Sequence, residues 1–421
     1  MNSIIFHIDV NSAFLSWTAL HLLEEGETVD LREIPSIIGG DKEKRHGIVL
    51  AKSSPAKAYG IQTGEPIVNA FKKCPTLVMA PPDHNMYRTR SHALMDFLSG
   101  ICPDIEQVSI DECYMNYNPI AHLYENPIAA AHIIKDTIFE KFGFTVNIGI
   151  SDRKVLAKMA SDFKKPNLVH TLYSYEIEEK MWPLPVEELF MCGHSSVESL
   201  RKLEILTIGD LAKANPKILY SHLKSHGKML WEFANGVDDS KVETLREKAK
   251  GVGNSTTVSQ DIEDAQEAHK VLMSLAESVG NRLRKGNQLA GSVSCEIKYN
   301  TFVSVSHQTT LVTPTDSTTL IYETARNLFN ELWNGTPIRL LGIRTSKLCD
   351  VTEPVQLSLF DIMPNTSPTA VPAKADLQQR KQKQEKLDKA LDTIKNKYGK
   401  DSIVRGSLLN TTGFRSKKHD H

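Results

Sequence analysis

Residues 109–114 read SIDECY, a short apolar stretch that contains two adjacent carboxylates, Asp111 and Glu112. A strand-like run, VSI at 108–110, leads into the pair. Neighbouring side chains of a regular strand point to opposite faces, so both carboxylates reach one site only where a hairpin turn or bulge breaks the pleat. The alternative is an Asp-Glu pair at a solvent-facing turn, and the spacing alone leaves both open.

A third carboxylate, Asp9, follows the apolar strand-like run IIFHI at 4–8. If Asp9 meets Asp111 and Glu112, the three charges withdrawn from water are unstable without a cation. Oxygen ligands without His or Cys suit Mg²⁺, which binds through carboxylates and substrate phosphates. Two such ions about 4 Å apart can activate a hydroxyl and stabilise a leaving pyrophosphate. The sequence therefore predicts nucleotidyl transfer with two magnesium ions.

Bulk properties limit the classes of protein. The 421 residues have a formal net charge of -1, which excludes a globally basic coat protein for nucleic acid but allows local basic faces. The six cysteines form no CxxC or Cys/His cluster, which argues against zinc or a disulfide framework. Neither a signal peptide nor an apolar run of the roughly eighteen residues needed to span a bilayer is present, so we expect a soluble, cytoplasmic protein without a membrane partner.

The order of elements predicts a multidomain α+β chain. Strand, helix, strand, strand, helix and strand up to about residue 172 favour an antiparallel sheet with helices on one face over a doubly wound sheet. Glycine and proline interrupt the pattern from 29 to 80, which indicates an inserted small subdomain. A mostly helical segment follows to about 250, and a second α+β unit follows that.

Four motifs resemble those of the Y-family translesion DNA polymerases over roughly residues 1–350. They are HIDVNSAF, SIDE, NIGIS followed by KVLAKMASDFKKPN, and GVGNSTTVSQD. The resemblance implies a right-hand polymerase with a ferredoxin-like palm, small fingers, a helical thumb with a helix-hairpin-helix, and an α+β little finger. The boundaries that we expect are palm 1–11 and 81–172, fingers 12–80, thumb 173–250, little finger 251–350 and tail 351–421.

The resemblance also implies roles for residues around the carboxylates. Asp9, Asp111 and Glu112 match the catalytic metal ligands of the family, and the backbone carbonyl of Val10 matches a position that also faces a metal. Phe14 matches the steric gate, an aromatic ring under the incoming sugar. Such a ring leaves no room for a 2′-hydroxyl and selects deoxyribonucleotides by clash.

Further residues match nucleotide contacts of the family. Lys165 matches a lysine that contacts the triphosphate. In AKSSPAKAYGI (51–61), many family members carry Tyr and Arg where this chain has Ser54 and Lys57. That departure resembles the UmuC-like branch associated with bacterial polymerase V. Lys57 can neutralise phosphate without the planar fork of Arg, whereas Ser54 offers a single hydroxyl.

Contacts to DNA are implied in two later segments. The thumb segment with Gly193 and Gly209 resembles a helix-hairpin-helix repeat, in which backbone amides at glycine turns hold phosphates without reading bases. Ordinary helical packing is the alternative. In the little finger, Arg339, Arg344 and Lys347 can follow phosphates along a sheet face, and such binding depends on salt.

The tail contains a candidate peptide for docking on the replication sliding clamp. QLSLFD at 356–361 resembles the clamp-binding peptide of bacterial polymerases, and Gln356, Leu357, Leu359 and Phe360 are its expected contacts. A plain edge strand is the alternative. An amphipathic helix at about 377–398 either packs back on the body or binds an accessory protein.

The function implied is template-directed, low-fidelity DNA synthesis past damaged bases, from dNTP to a primer 3′-hydroxyl on primer-template DNA, in an SOS-type repair response. One rival is another two-metal palm enzyme such as a nucleotide cyclase, which acts without primer or template. A second rival is a DNA- or clamp-binding scaffold that keeps the fold without catalysis.

Overall fold

The computed structural model describes residues 3–40, 47–245, 248–352, 374–399, 402–403 and 405–406. These residues form two compact units, one ending at 245 and one beginning at 248. Within the described ranges, no helix is both long enough and apolar enough to cross a membrane.

The first unit contains strands and helices in alternating groups. Its strands are β1 (Ile5–Val10), β2 (Ser36–Gly39), β3 (Val49–Lys52), β4 (Val78–Ala80), β5 (Ile105–Gln107), β6 (Glu112–Asn116), β7 (Val146–Ser151) and β8 (Val169–Thr171). Its helices are α1 (Ala13–Glu24), α2 (Ser54–Ala58), α3 (Ile67–Lys73), α4 (His84–Ile101), α5 (Pro127–Phe142), α6 (Lys154–Asp162), α7 (Ile177–Lys180), α8 (His194–Arg201), α9 (Ile208–Lys213) and α10 (Pro216–Ala234). Short 3₁₀ helices span Asn118–Leu123, Ser174–Glu176 and Val186–Glu188.

A five-stranded sheet organises this unit, in the order β5-β6-β1-β7-β8. All neighbours are antiparallel except β7 and β8. The even residues of β1, such as Phe6 and Ile8, lie in one core with Leu94 of α4 and Ile134 of α5. Alternation along a strand sends the odd residues to the other face.

The opposite face of the sheet is covered in part by α6, which differs from the expectation of helices on one face. A Cβ placed on Gly149 of β7 would lie 2.0 Å from the carbonyl oxygen of Ala157 in α6. Only glycine allows this close approach of helix and strand. Helix α6 thereby lies over the odd residues of β1, and Ile5 packs against Ala157.

Two smaller cores complete the first unit. The segment that the sequence predicted as an insertion forms the sheet β3-β2-β4 and packs it with α2 and α3 around Ile37, Val49 and Ile67. The helices from α7 to α10 enclose a core that includes Leu200 and Leu230. Both are built from continuous stretches of chain.

The second unit is an α+β sandwich. Its strands are β9 (Gly251–Ile262), β10 (Gln288–Tyr299), β11 (Ser304–Thr315) and β12 (Ile338–Asp350), and its helices are α11 (Ala265–Lys285), α12 (Thr318–Leu332) and α13 (Lys374–Tyr398). The antiparallel sheet has the order β11-β10-β12-β9. Its buried face, including Val293 and Ile343, packs with Leu272 of α11 and Phe329 of α12.

Helix α13 packs back on the second unit, which was one of the two possibilities that the sequence left open. Asp388 is only 2% exposed and accepts a 3.2 Å hydrogen bond from the Thr318 amide at the start of α12. Asp392 pairs with Arg284 of α11, with the Nε–Oδ2 distance 2.6 Å, and accepts from Asn281 at 2.7 Å. The helix is held by Arg284 and Asn281 on α11 and by a backbone amide at the start of α12.

Candidate active site

Asp9 and Glu112 lie side by side on the face of the sheet that α6 covers. The two residues are Cα partners in the antiparallel pair of β1 and β6, so their side chains leave the sheet on the same face. Together with His7 they offer three possible metal-ligand atoms within 4.8 Å of one another. Asp9 therefore meets one of its two predicted acidic companions directly.

Asp111 sits at the end of the hairpin turn that joins β5 to β6. The Ser109 hydroxyl donates to Asp111 Oδ1 at 2.6 Å and accepts the Glu112 amide at 3.2 Å, which fixes the turn. Burial raises the pKa of Asp111, and the charges of Asp9 and Glu112 raise it further. The pleat ends at this turn, and Asp111 lies within electrostatic reach of Asp9 and Glu112, although it is not part of the group of ligand atoms that His7, Asp9 and Glu112 form.

Two lysines neutralise the carboxylates. Lys158 Nζ lies 2.9 Å from Glu112 Oε2 and 3.2 Å from Asp9 Oδ2. Lys165 Nζ lies 3.0 Å from the same Asp9 oxygen and 2.9 Å from Asp162 Oδ1. Burial alone would lower the pKa of Lys158, but the charges of Asp9 and Asp162 raise it above the ordinary lysine value. The carboxylates are therefore stable only with positive charge beside them, as is expected of a Mg²⁺ site.

His7 is a buried partner of Glu112 that the sequence analysis missed. Its Nε2 lies 3.4 Å from Glu112 Oε2, and its Nδ1 lies 2.8 Å from the Ser161 hydroxyl. Because a carboxylate only accepts, the proton belongs on Nε2. Burial lowers the pKa of His7, whereas the hydrogen bond from His7, supported by Lys158, lowers the pKa of Glu112 to about 2. Glu112 is therefore held ionised.

A pair of buried asparagines fixes the loop that carries Lys165. Asn147 of β7 donates to the carbonyls of Lys164 at 2.8 Å and Ser161 at 3.2 Å. Its Oδ1 accepts from the Asn11 amide group and from the Leu168 backbone amide, each at 3.2 Å. Neither asparagine was singled out from the sequence, because a single polar residue in a strand or just after one has no distinctive spacing.

Phe14 lies at the start of α1, half-buried, with its ring stacked on Tyr87 of α4. The ring centroids are 4.4 Å apart and the planes differ by 8°. Tyr87 is itself fixed, because its hydroxyl lies 2.8 Å from that of Thr18. A ring held in this way cannot turn aside, as a gate based on clash requires.

Oxygen donors, two neighbouring lysines and a fixed aromatic ring together fit magnesium and a nucleotide. Comparison with known proteins agrees. Residues 8–162 match the family described as impB/mucB/samB, and residues 249–359 match the C-terminal domain of that family. A DNA polymerase IV from Clostridium acetobutylicum is 46% identical over 409 residues, which are 97% of this chain and 99% of that protein. This chain belongs to the Y-family DNA polymerases.

Other comparisons extend this result. A DNA polymerase IV 1 from Bacillus subtilis is 33% identical over 98% of this chain and 95% of that protein. A solved Y-family DNA polymerase chimera, built from Dbh and Dpo4, superposes with a TM-score of 0.71 at 22% identity and covers 82% of this chain and 99% of its own. The predicted multidomain α+β fold of a Y-family polymerase is thereby confirmed.

The predicted branch within the Y family is wrong. The relatives that this chain matches along nearly its whole length are named DNA polymerase IV, and they do not support a UmuC-like assignment. That assignment depended on Ser54 and Lys57, which are both exposed on α2. Exposed positions tolerate substitution without cost to folding, so they discriminate poorly between branches of one fold.

The thumb glycines have different surroundings. Gly193 precedes α8, and a Cβ placed there would meet nothing within 4 Å. Gly209 lies in the first turn of α9, where its amide donates to the Trp182 carbonyl at 3.0 Å. A Cβ on Gly209 would come within 3.1 Å of the Trp182 Cβ. Close packing explains Gly209 in this Y-family polymerase, and its amide already has an acceptor.

The little-finger cations lie on or beside the sheet face that faces away from α11 and α12. Arg344 is exposed and, with Ser294 and Gly253, lines an open cleft of about 610 Å³. Lys347 is exposed and donates to Thr310 at 3.0 Å, whereas Arg339 lies over the Phe302 ring at 4.7 Å. The predicted clamp peptide, with Gln356, Leu357, Leu359 and Phe360, lies outside the described residues.

Proposed function

We propose that this chain is a DNA-directed DNA polymerase that copies primer-template DNA past damaged template bases. The observation that carries the proposal is the pairing of Asp9 with Glu112 on one sheet face, neutralised by Lys158. Membership of the Y family and near full-length identity with proteins named DNA polymerase IV support it. The reaction is nucleotidyl transfer from dNTP to a primer 3′-hydroxyl.

Two Mg²⁺ ions would be held by Asp9, Asp111, Glu112 and the carbonyl of Val10. When bound, the ions supply activation of the primer hydroxyl and neutralisation of the leaving pyrophosphate. The hydrogen bond from His7 keeps Glu112 ionised and oriented. Ser109 fixes the turn that carries the Asp111 carboxylate. The chain thus presents its oxygen ligands before substrate arrives.

Nucleotide selection depends on residues around the carboxylates. Lys165 is about one third exposed, and it is the lysine able to turn from Asp9 to the triphosphate. Lys57 and Ser54, exposed on α2, are further candidates for phosphate contacts. The Phe14 ring excludes a 2′-hydroxyl. A site with few contacts to the nascent pair discriminates weakly, which permits damaged templates and lowers fidelity.

We assign DNA binding to the thumb and little finger, and recruitment of the enzyme to DNA to the tail. For the palm, fingers, thumb and little finger we propose the boundaries predicted from the sequence. The proposed contacts to the DNA phosphate backbone are Gly193 at the start of α8 and, beside the open sheet face, Arg339, Arg344 and Lys347. QLSLFD would tether the enzyme to a sliding clamp, so that weak docking still raises its local concentration on DNA. We place its role in an SOS-type repair response.

A primer-extension assay tests the proposal. The protein is supplied with Mg²⁺, the four dNTPs and a primer on either an undamaged template or one with a single abasic site. Extension past the lesion, abolished by Asp111→Ala, is the expected result. Conversion of a free nucleotide without DNA would favour a cyclase. DNA binding with no extension on either template would favour the scaffold and overturn the proposal.

A further inference from the structure

Lys158 is positioned to control the metal site and not only to line it. Its ammonium group contacts Glu112 at 2.9 Å and Asp9 at 3.2 Å, so it lies between the two carboxylates. The side chain is only 13% exposed, compared with 34% for Lys165. An ammonium group between two carboxylates occupies the electrostatic position that a divalent ion would take.

A third acidic partner for Lys158 lies on its own helix. Asp162 Oδ2 is 3.4 Å from Lys158 Nζ, at the i, i+4 spacing that brings side chains together on one face of a helix. Asp162 is more exposed than either of the carboxylates in the site. A small rotation of the Lys158 side chain would therefore exchange Asp9 and Glu112 for Asp162 without leaving the charge unpaired.

We propose that Lys158 is an internal counter-ion that holds Asp9 and Glu112 together in the metal-free protein and moves to Asp162 when a divalent ion binds. This inference rests on the proposed function, since it concerns the same carboxylates. It deepens that function by giving one lysine a role before substrate arrives. Two carboxylates this close would repel each other in the absence of any cation, and Lys158 removes that repulsion.

The role has a consequence that separates it from an ordinary catalytic lysine. Because the ammonium group competes with the ion, its removal should tighten metal binding while it destabilises the metal-free fold. A lysine that only packs the site would weaken both when removed. Lys158→Met is suitable, because methionine keeps much of the apolar stem and loses only the charge.

The test measures Mn²⁺ binding to the full chain without DNA or nucleotide, by the loss of the free-ion paramagnetic signal. Mn²⁺ shares the oxygen-ligand preference of Mg²⁺. We expect Lys158→Met to lower the dissociation constant roughly tenfold, the usual order of coupling between adjacent charged sites. The melting temperature in EDTA should fall by roughly 2–4 °C.

Lys154 provides the matched control on the same helix. Its ammonium group is also mostly buried and pairs with Glu106 at 2.7 Å, away from the metal ligands. Lys154→Met should destabilise the protein to a similar degree and leave Mn²⁺ affinity within about twofold of the wild type. If Mn²⁺ affinity changes equally in Lys158→Met and Lys154→Met, the effect is one of general destabilisation and the inference is overturned.

A double-mutant cycle with Asp162 tests the exchange. Asp162→Asn should weaken Mn²⁺ binding roughly threefold, because the displaced ammonium group no longer finds Asp162 as its partner. Most of this effect should vanish in the Lys158→Met background. An equal effect in both backgrounds, or an unchanged affinity in Lys158→Met, would overturn the inference. If the wild type neither binds Mn²⁺ nor extends primers, the proposed function itself fails; extension by a protein that fails the cycle removes only the inference.

Discussion

Asp9 and Glu112 are directly opposed across β1 and β6, although 102 residues of chain lie between them. This register places both carboxylates under α6, where Lys158 reaches both. Antiparallel pairing makes the arrangement sensitive to register, since a slip of one residue would send one carboxylate to the opposite face of the sheet. Two of the proposed ligands, Asp9 and Glu112, therefore belong to the central sheet, whereas the third, Asp111, lies in the adjoining hairpin turn.

Glu112→Gln is expected to reduce primer extension by at least about a hundredfold. Even partners outside the first ligand shell typically change metal affinity or activity 10–100-fold, and Glu112 is a proposed direct ligand. The fold should remain, because Lys158 keeps Asp9 as a partner. Glu106→Gln on the adjacent strand, whose partner is Lys154, is the control and should extend primers normally. A Glu112→Gln enzyme with full activity would contradict the site.

The proposed acidic ligands stood out in the sequence because two adjacent carboxylates in an apolar run are unusual, although the spacing alone left a solvent-facing turn open as the alternative. Their convergence also required a hairpin turn, and the structure has one at 108–111. His7 and Lys158 could not be predicted in the same way. A histidine within an apolar strand looks like core, and a lysine on a helix looks like surface. The i, i+4 spacing of Lys158 and Asp162 was the signal available for the lysine.

The sequence also did not predict that helices cover both faces of the sheet. The close approach of α6 depends on Gly149, which the motif NIGIS contains, but a glycine in a strand indicates a close contact without naming the partner. The branch assignment failed for a related reason. Ser54 and Lys57 are exposed, and no packing relates these positions to the rest of the chain, so identity over the whole length was needed.

Phe14→Ala is expected to admit ribonucleotides, with incorporation of rNTP relative to dNTP rising by roughly tenfold or more. The Phe14 ring is held in place by its stacking on Tyr87. Removal of the Phe14 ring therefore leaves open space that Tyr87 does not fill. Single-nucleotide incorporation kinetics provide the measurement. Tyr87→Phe keeps the stacked ring and loses only the hydroxyl contact to Thr18, so sugar selection should stay unchanged. If Phe14→Ala selects between rNTP and dNTP as the wild type does, Phe14 is not the steric gate.

Asn147→Leu is expected to raise the KM for dNTP by roughly tenfold with a smaller change in kcat. The substitution keeps the branched shape of the side chain and removes the hydrogen bonds to the Lys164 carbonyl and the Leu168 amide, each worth about 1 kcal/mol. The loop then holds Lys165 less firmly. Asn235→Leu, which loses side-chain bonds to the carbonyls of Ala212 and Trp231, controls for stability. An equal KM change in both variants would refute the positioning role.

Leu359→Ala combined with Phe360→Ala is expected to abolish binding to the sliding clamp. Burial of two such side chains accounts for most of an affinity that we place at about micromolar. Titration calorimetry with purified clamp measures it, and extension of a short template without clamp should be unchanged. Leu387→Ala with Tyr398→Ala removes another exposed leucine and aromatic from α13 and should bind normally. Clamp binding by the first double variant would refute the motif.

Asp392→Asn is expected to make the second unit less stable at neutral pH and less sensitive to acid. Burial alone would raise the pKa of Asp392, but hydrogen bonds from Arg284 and Asn281 lower it below the ordinary 3.8. A carboxyl with a depressed folded pKa stabilises the fold above 3.8 and loses that contribution as pH falls through the lower folded value. Melting curves from pH 6 to pH 3 should therefore converge for wild type and variant. Glu323→Gln, at an exposed position on α12, should follow the wild type throughout. A constant difference between Asp392→Asn and wild type at every pH would show that the Arg284 pair does not hold α13 through its charge.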